Sequence, residues 1–400
     1  MLRVRDSCKV KILTKFIQAI RQIFLDRRDK LLDRIRDEKI PVAFLFSPFV
    51  DVGEINATIW KMLNQGFNVK YTFIADDRIL SSTTESMRIV SIENLDSIQD
   101  LPRYVFIKSD LSMCAFVDKF KSLKIDLIDL TDDVDFNQGF EDYLSHIDEI
   151  FDVYNSFIDD ESRQVFLAFM LGNVSLKISD YIHDNLPQYF LHGFMPKTGN
   201  ILIDGGAFDG ATASDFKSFG CDVYAFELDE ENFKIAKARG DREGFVVENF
   251  GLGEHSKQIE YFSASYGSFI AQDQKSKVNK RIGRIISIDE YVRAKNLPRI
   301  DFIKLDVEGS ELDTLKGAAL SIARWKPRLA ISAYHKSKDL WTLQQFVKSI
   351  RPDYEFAFRH YPERYDNASD LFGDEGKKFL ENHNLPLKIP YIWEAILYAR

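Results

Sequence analysis

Glycines and acids follow an apolar run, Ile201–Ile203, in the second half of the chain. The segment reads Asp204-Gly205-Gly206-Ala207-Phe208-Asp209-Gly210, which predicts a strand end, a tight turn and the start of a helix. Glycine lets the backbone approach a ligand closely. The spacing differs from the Gly-x-Gly-x-x-Gly of dinucleotide-binding turns. Because Asp204 and Asp209 would repel a pyrophosphate, the turn favours a cofactor with a cationic amino-acid end.

A second acid ends the next predicted strand. Glu227 follows the apolar run Val223–Phe226. It lies about 20 residues after the turn, where doubly wound folds place an acid that binds ribose hydroxyls. This position does not distinguish NAD from S-adenosylmethionine, and the alternative is a solvated strand end that binds nothing.

A third group of charges follows the apolar strand Phe302–Leu305. Lys304 and Asp306 alternate at its carboxyl end, and Glu308 opens the next helix. Ligands of open α/β sheets bind outside this end of the strands, and buried charges are costly unless paired or used. These residues are therefore candidate site residues. The alternative is a Lys304–Glu308 ion pair that only caps the sheet. We predict no metal, because Asp306 and Glu308 lack an obvious third ligand.

Short apolar runs alternate with helical patterns along the chain, which is typical of parallel βαβ units. The pattern predicts two α/β domains of the doubly wound type, a smaller one followed by a larger one. The first series of predicted strands is Val42–Phe46, Val69–Ile74, Tyr104–Ile107 and Ile125–Leu130. The second series is Ile201–Ile203, Val223–Phe226, Phe245–Val247, Phe302–Leu305, Leu329–Ser332, Tyr354–Phe358 and Ala395–Tyr398.

The same pattern divides the chain into four parts. Residues 1–40 are a basic helical arm, 41–133 an N-terminal α/β domain of unknown role, 134–190 a helical joint, and 191–400 the domain with the glycine turn. The arm carries a charge of +6, which leaves −15 for the remainder of a chain whose net charge is −9. We interpret the arm as packed on its own domain or a second subunit, with a membrane-surface helix as the alternative.

Composition limits the class of protein. An acidic body is a poor match for a phosphate backbone, so nucleic acid is an unfavoured partner. No apolar stretch reaches the roughly 20 residues that a transmembrane helix needs. Cys8, Cys114 and Cys221 are widely spaced and odd in number, which indicates free thiols and a cytoplasmic location. Assembly of several copies of the chain into a homo-oligomer is compatible with this composition.

Several segments in the right order resemble the FkbM-type methyltransferases over residues 160–400. They are Asp204–Gly210, Phe226-Glu227, Ile288–Tyr291, Phe302–Glu311, Lys326–Ile331, Tyr334-His335, Arg359–Tyr361 and Ile396–Ala399. The resemblance implies a Rossmann-like methyltransferase domain, a mostly parallel seven-stranded sheet with an antiparallel last strand, preceded here by a smaller Rossmann-like α/β domain. It also implies O-methylation with S-adenosylmethionine. This sequence departs from many methyltransferases at Phe208, where they carry a glycine, and at Leu228-Asp229, where a proline often follows the acid.

The resemblance also assigns roles by position. Asp204, Gly206 and Gly210 would shape the methionine pocket, Glu227 would hold the ribose, and Asn249 would lie near the adenine. The full set of expected cofactor contacts is Asp204, Gly205, Gly206, Ala207, Phe208, Asp209, Gly210, Glu227, Leu228, Asn249 and Asp306. The catalytic candidates near the transferred methyl are His335, Asp306 and Glu308.

His335 is the first choice for the base that deprotonates an alcohol acceptor, because its ordinary pKa is near neutral. His360 is the competitor, with substrate binding as its expected role. The leading hypothesis is an S-adenosylmethionine-dependent O-methyltransferase acting on a hydroxyl of a small molecule or glycan, by in-line transfer. The alternatives are a nicotinamide-dependent oxidoreductase that uses the N-terminal βαβ half, and a non-catalytic S-adenosylmethionine-binding scaffold.

Overall fold

A computed structural model describes most of the chain. The described residues are 14–23, 27–46, 52–74, 88–107, 116–130, 136–262, 269–270, 280–364, 378, 388–389 and 393–400. They form two compact units, each built from separate stretches of sequence. The first comprises Met1–Ser145, Gln164–Asp184 and His360–Trp393, and the second comprises His146–Arg163, Asn185–Arg359 and Glu394–Arg400.

The first unit contains a parallel five-stranded sheet with the order β3-β2-β1-β4-β5. Its strands are β1 (Pro41–Phe46), β2 (Asn68–Ile74), β3 (Arg88–Ser91), β4 (Tyr104–Ile107) and β5 (Asp126–Asp129). Its helices are α1 (Arg28–Asp37), α2 (Val52–Asn64), α3 (Val117–Ser122) and α4 (Phe136–Ser145). The central strands are continuous apolar runs because helices cover a parallel sheet on both faces.

The core of this unit forms where α1 packs against the sheet. Leu31 and Ile35 are buried in one cluster with Phe44, Phe106 and further residues of the sheet. The helical residues 14–23 likewise bury Phe16 and Ile23. Over its described residues the arm is therefore helical with buried apolar side chains, and its interpretation as one packed arm stays a prediction.

The second unit contains the seven-stranded sheet, with the order β15-β18-β14-β13-β6-β7-β8. Its strands are β6 (Ile201–Gly205), β7 (Asp222–Phe226), β8 (Val246–Glu248), β13 (Phe302–Leu305), β14 (Arg328–Ser332), β15 (Phe356–His360) and β18 (Ala395–Ala399). Neighbouring strands in the series β8, β7, β6, β13 and β14 pair in parallel, whereas β18 runs antiparallel to β14. The predicted fold class is thus confirmed.

The helices after α4 are α5 (Ile147–Ser156), α6 (Asp160–Ser175), α7 (Ala211–Ser218), α8 (Glu230–Glu243), α9 (Ile288–Lys295), α10 (Glu311–Lys316), α11 (Ala319–Trp325) and α12 (Asp339–Ile350). A second, four-stranded sheet lies between β8 and α9. It consists of β9 (Gly251–Leu252), β10 (Lys257–Phe262), β11 (Phe269–Ile270) and β12 (Lys280–Ile286). The strands β16 (Glu363–Arg364) and β17 (Lys388–Ile389) pair with each other in an antiparallel two-stranded sheet.

Most predicted strands lie within one or two residues of the observed ones. The sequence missed β3, the four-stranded sheet and the pair of β16 and β17. The sequence also indicates a turn at residues 47–53 after β1, without the Gly-x-Gly-x-x-Gly of a dinucleotide site, and residues 47–51 of this turn lie outside the described residues. The four-part division of the chain stays a prediction, since the compact units are interleaved: their boundaries fall inside α6 and β15. Within the described ranges, no helix is long and apolar enough to cross a bilayer.

Candidate active site

The glycine turn follows β6 at the carboxyl edge of the seven-stranded sheet. The N–H groups of Gly206 and Ala207 both donate to the carbonyl of Phe226 at the end of the neighbouring strand, over 3.0 and 2.9 Å. Gly206 has φ +75°, and a Cβ there would lie 1.7 Å from the carbonyl oxygen of Asp306. Only glycine fits this position, because two strand ends approach each other there. Gly210 (φ +82°) then caps α7.

A buried ion pair between Asp204 and Lys304 holds the glycine turn in place. The register of β6 and β13 sets Asp204 beside Lys304, and their side chains meet at 3.0 Å with almost no exposure. The Lys304 ammonium also donates to the carbonyls of Gly205 (3.2 Å) and Gly206 (2.7 Å). Burial by itself would lower the pKa of Lys304, but the carboxylates of Asp204 and Asp306 raise it. Lys304 therefore stays charged and holds the turn in place, and it pairs with Asp204 instead of only capping the sheet.

Glu227 is a buried carboxylate at the end of β7, facing the turn. Its two oxygens accept the N–H groups of Phe208 (2.8 Å) and Asp229 (2.7 Å). Burial raises the pKa of Glu227 to about 7, against the lowering effect of these two donors. Since a carboxylate has about four acceptor sites, each oxygen retains capacity for one hydroxyl of a ligand. This is the geometry expected of a ribose-binding acid.

Two further residues of the turn differ in what they offer a ligand. Phe208 adopts φ +50°, which is unusual for a bulky side chain, and its ring is 43% exposed. Asp209 is engaged locally: its carboxylate accepts the N–H of Ala211 at 2.9 Å and pairs with Arg239 at 2.8 Å. A positive φ at a bulky residue such as Phe208 is strained, and such strain persists where the surrounding structure enforces it, commonly at functional sites.

Asn249 braces the loop after β7. Its amide nitrogen donates to the carbonyls of Glu227 (3.0 Å) and Leu228 (3.1 Å). Leu228 packs on the four-stranded sheet, since a Cβ on Gly283 would lie 2.5 Å from its Cδ1. The structure places both residues beside the turn, and their contact with an adenine stays a prediction.

Asp306 lies directly after β13 and is held by two tyrosines. Its oxygens accept the hydroxyls of Tyr334 (3.0 Å) and Tyr189 (3.4 Å). Burial by itself would raise the pKa of Asp306, but Lys304, His335 and nearby hydroxyls lower it. Asp306 is thus an oriented, ionised carboxylate at neutral pH.

His335 lies after β14 inside a group of carboxylates. Its Nδ1 is 2.9 Å from Glu311, and its Nε2 is 3.5 Å from Glu308 and 3.7 Å from Asp306. Burial by itself would lower the pKa of the imidazole, but Glu311, then Asp306 and Glu308, raise it to about 10. Burial raises the pKa of Glu308, which adopts φ +52°. The structure therefore brings together all three predicted catalytic candidates.

The same group bears on metal binding. Asp306, Glu311 and His335 offer three potential ligand atoms within 4.8 Å of one another. Glu311 supplies the third side chain that sequence reasoning did not find, so the prediction of no metal stays open. His360, the competing base, is fully buried in the first unit, with its Nε2 2.6 Å from the carbonyl of Trp393. Its predicted role in substrate binding also stays a prediction.

Sequence reasoning missed Tyr189 and the role of Glu311. Tyr189 comes from the loop before β6, about 120 residues from Asp306, and no local pattern points to it. Glu311 is visible in the sequence as the first residue after Glu308-Gly309-Ser310. A buried acid at the start of a helix, following a glycine turn, is the signal that marks it.

Comparison with known proteins supports the resemblance. Residues 204–362 match the family model of the methyltransferase FkbM domain, so the resemblance is confirmed over this segment. The methyltransferase FkbM from Methylobacillus flagellatus KT has a similar fold, with a TM-score of 0.61 and 20% identity, covering 98% of this chain and 100% of that one. The chain thus matches the FkbM methyltransferase domain over residues 204–362, and its fold is similar to that of this FkbM methyltransferase over nearly its whole length.

Another solved structure is similar over a smaller part. An rRNA methylase from Streptococcus thermophilus has a TM-score of 0.29 and 16% identity, covering 51% of this chain and 86% of that one. No curated protein matches the sequence significantly.

Proposed function

We propose that this protein is an S-adenosylmethionine-dependent O-methyltransferase that acts on a hydroxyl of a small molecule or glycan. The observation that carries the proposal is the pairing of the Gly206 turn with Glu227. Gly206 lets the turn close against the Asp306 carbonyl at the sheet edge, and Glu227 presents a buried carboxylate with acceptor capacity beside that turn. One charge feature also favours this cofactor over a dinucleotide: Asp306 stays ionised near the turn.

The residues present fit each part of this cofactor. Gly206 and Gly210 would admit its methionine end, Glu227 would accept its ribose hydroxyls, and Asp306 would face its positive charge. When bound, the cofactor supplies an activated methyl group on a sulfonium. The chain must then align the acceptor oxygen with the methyl–sulfur bond, exclude water and remove the hydroxyl proton.

His335 and Glu308 are the groups available for that proton. His335 holds its own proton in the ligand-free protein at neutral pH, because its pKa is raised to about 10. As the base it must first become neutral, so the rate of methyl transfer is expected to rise with pH well above 7. Glu308 is the nearest alternative, as a half-exposed carboxylate 3.5 Å from the His335 Nε2.

The class of acceptor is proposed from the charge of the chain. The acidic balance of the chain outside the arm favours a neutral hydroxyl compound over a polyanion.

The proposed location rests on a thiol. Cys221 is a free, buried thiol, and burial raises its pKa to about 11. A free thiol of this kind agrees with the proposed cytoplasmic location.

Calorimetry with S-adenosylmethionine, S-adenosylhomocysteine and NAD tests the cofactor. Hydrogen bonds to a charged group are worth about 1.5–3 kcal/mol, so Glu227→Ala should weaken binding of the first two ligands at least tenfold. Glu231→Ala, which removes an exposed carboxylate in the same region, is the matched control and should bind normally. Tighter binding of NAD, or unchanged affinity in Glu227→Ala, overturns the proposal.

Product analysis by mass spectrometry on a panel of hydroxyl compounds tests the reaction. With an accepted substrate, His335→Ala should keep cofactor affinity and lose turnover by a factor on the order of 10² or more. His255→Ala, at an exposed histidine, should leave turnover unchanged. Near-normal turnover in His335→Ala transfers the role of base to Glu308 or Asp306.

A further inference from the structure

Glu311 is a fully buried carboxylate at the first residue of α10. Its Oε1 accepts the N–H groups of Val307 (3.0 Å) and Gly309 (3.3 Å), which fixes it against the loop that follows β13. The same oxygen lies 2.9 Å from the Nδ1 of His335. A buried carboxylate held by two backbone donors has little freedom to move, so its ion pair with Nδ1 can set the orientation of the His335 ring.

We propose that Glu311 is the positioning residue of His335: it accepts the proton on Nδ1 and thereby directs Nε2 toward Asp306 and Glu308. This inference rests on the proposed function, in which the proton of the acceptor is removed at that Nε2. A histidine that donates through one nitrogen to a fixed carboxylate is held in a single tautomer, with the other nitrogen as its acceptor when neutral.

The charges around His335 come from every element packed against it. Glu311 belongs to α10, Asp306 and Glu308 to the loop after β13, and Asp339 to the start of α12. Lys336 and Lys338 flank it on its own segment, and Lys304 lies behind Asp306. Burial comes first and would lower the pKa of His335, and Glu311 is the strongest of the groups that raise it. The carboxylates therefore outweigh the lysines and the burial together.

Three of the four carboxylate oxygens of Asp306 and Glu311 accept hydrogen bonds, whereas Glu311 Oε2 has no hydrogen-bond partner. Both oxygens of Asp306 accept tyrosine hydroxyls, and Glu311 Oε1 already accepts two backbone N–H groups. A metal ion would have to compete with these donors and with the proton of His335. Metal binding is accordingly the competing outcome of the test.

The deciding experiment is an NMR titration of the full chain with isotope-labelled histidine. The chain has seven histidines, and His335→Gln identifies the signal of interest by its loss. Glu311→Gln should lower the pKa of His335 by about one unit or more, and should change the nitrogen shifts that report its tautomer. The matched control Asp313→Asn removes an exposed carboxylate on the same helix, and should leave both readouts unchanged.

A second variant separates orientation from charge. Glu311→Asp keeps the negative charge and shortens the side chain by one methylene, so the pKa of His335 should stay raised while the tautomer becomes mixed. It also keeps the test decisive if Glu311→Gln does not fold. An unchanged pKa and tautomer in Glu311→Gln overturns the proposal, as does an unchanged tautomer in Glu311→Asp. Broadening of the His335 signal by micromolar MnCl₂ that Glu311→Gln abolishes assigns the cluster to a metal instead.

The pH dependence of kcat tests whether the pair of Glu311 and His335 takes part in methyl transfer. In Glu311→Gln the acidic limb of the kcat profile should shift to lower pH by the same amount as the measured pKa of His335, with cofactor affinity unchanged. Failure of the parent to methylate any acceptor would contradict the proposed function alone, because the NMR readouts need no turnover. A shifted pKa with an unshifted kcat profile would contradict the role of Glu311 while leaving methyl transfer intact.

Discussion

The five-stranded sheet and the first five strands of the seven-stranded sheet follow one plan. When the strands of each sheet are numbered in chain order, their spatial order in both sheets is third, second, first, fourth, fifth. All of these neighbouring strands pair in parallel. In the first sheet, the register of the first and fourth strands sets Phe44 beside Phe106, with their rings 5.5 Å apart. In the second sheet, the corresponding pair of strands sets Asp204 beside Lys304 at 3.0 Å.

The aromatic pair of the first sheet and the ion pair of the second occupy equivalent strands but have different physical roles. An aromatic pair between strands is apolar packing, which a sheet covered on both faces needs. A buried ion pair contributes little net stability, because desolvation offsets its attraction. Here Lys304 also binds the carbonyls of the glycine turn, so the pair is retained for the shape of the site. The shared strand order does not by itself specify a cofactor site.

The largest expected effect comes from breaking the ion pair. Asp204→Asn leaves the Lys304 charge buried without its partner, and should lower the free energy of unfolding by about 3–5 kcal/mol. Adding Lys304→Met removes that charge, so the double variant should recover most of the loss while binding no cofactor. Chemical denaturation and calorimetry measure the two properties. A double variant as unstable as Asp204→Asn would show that the pair contributes more than compensated charge.

The next effect concerns the approach of the two strand ends at Gly206. Gly206→Ala should weaken cofactor binding by roughly a hundredfold or more, since its Cβ would collide with the Asp306 carbonyl and displace the turn. Gly199→Ala is the matched control. Gly199 has nearly the same φ, +79° against +75°, but nothing lies within 4 Å of its added Cβ. Equal losses of affinity in the two variants would assign the effect to backbone strain alone.

A tenfold effect is expected from pH. The folded protein holds the pKa of Glu227 at about 7, so this group is a carboxyl below pH 7 and a carboxylate above it. Only the carboxylate accepts two ribose hydroxyls, so affinity should fall about tenfold between pH 8 and pH 6. Calorimetry at fixed ionic strength measures this, and Glu227→Gln should show weaker binding with a flat profile. A flat profile in the parent would mean that Glu227 does not meet the ribose as an anion.

The smallest effect compares the two cores. Ile107→Val and Ile303→Val each remove one methylene from the fourth strand of a sheet, at side chains with at most 1% exposure. Each should cost about 0.5–1.5 kcal/mol of stability and leave cofactor affinity unchanged. Urea denaturation with calorimetry checks both. A change of affinity in Ile303→Val, without one in Ile107→Val, would show that the site senses core packing as well as charge.

The sequence predicted the architecture well because parallel strands are strongly patterned. The apolar run Tyr104–Ile107 and the strand Phe302–Leu305, which is apolar except for Lys304, were located to the residue. The four-stranded sheet was missed, because β10 and β12 carry many charged residues and pair only with each other and with short neighbours. Arg88–Ser91 was missed because a four-residue strand with a charged start carries little periodic signal.

Residue types and spacing determined by themselves that the chain carries a glycine turn, strand-end acids and a strand with charges at its carboxyl end, since these follow from local sequence alone. The tertiary structure decided which of them meet. It paired Lys304 with Asp204 by strand register, brought Tyr189 to Asp306 from a distant loop, and set Glu311 behind His335. It also set the pKa of His335 far above its ordinary value, because a pKa depends on burial and on charges that only folding brings within a few ångströms.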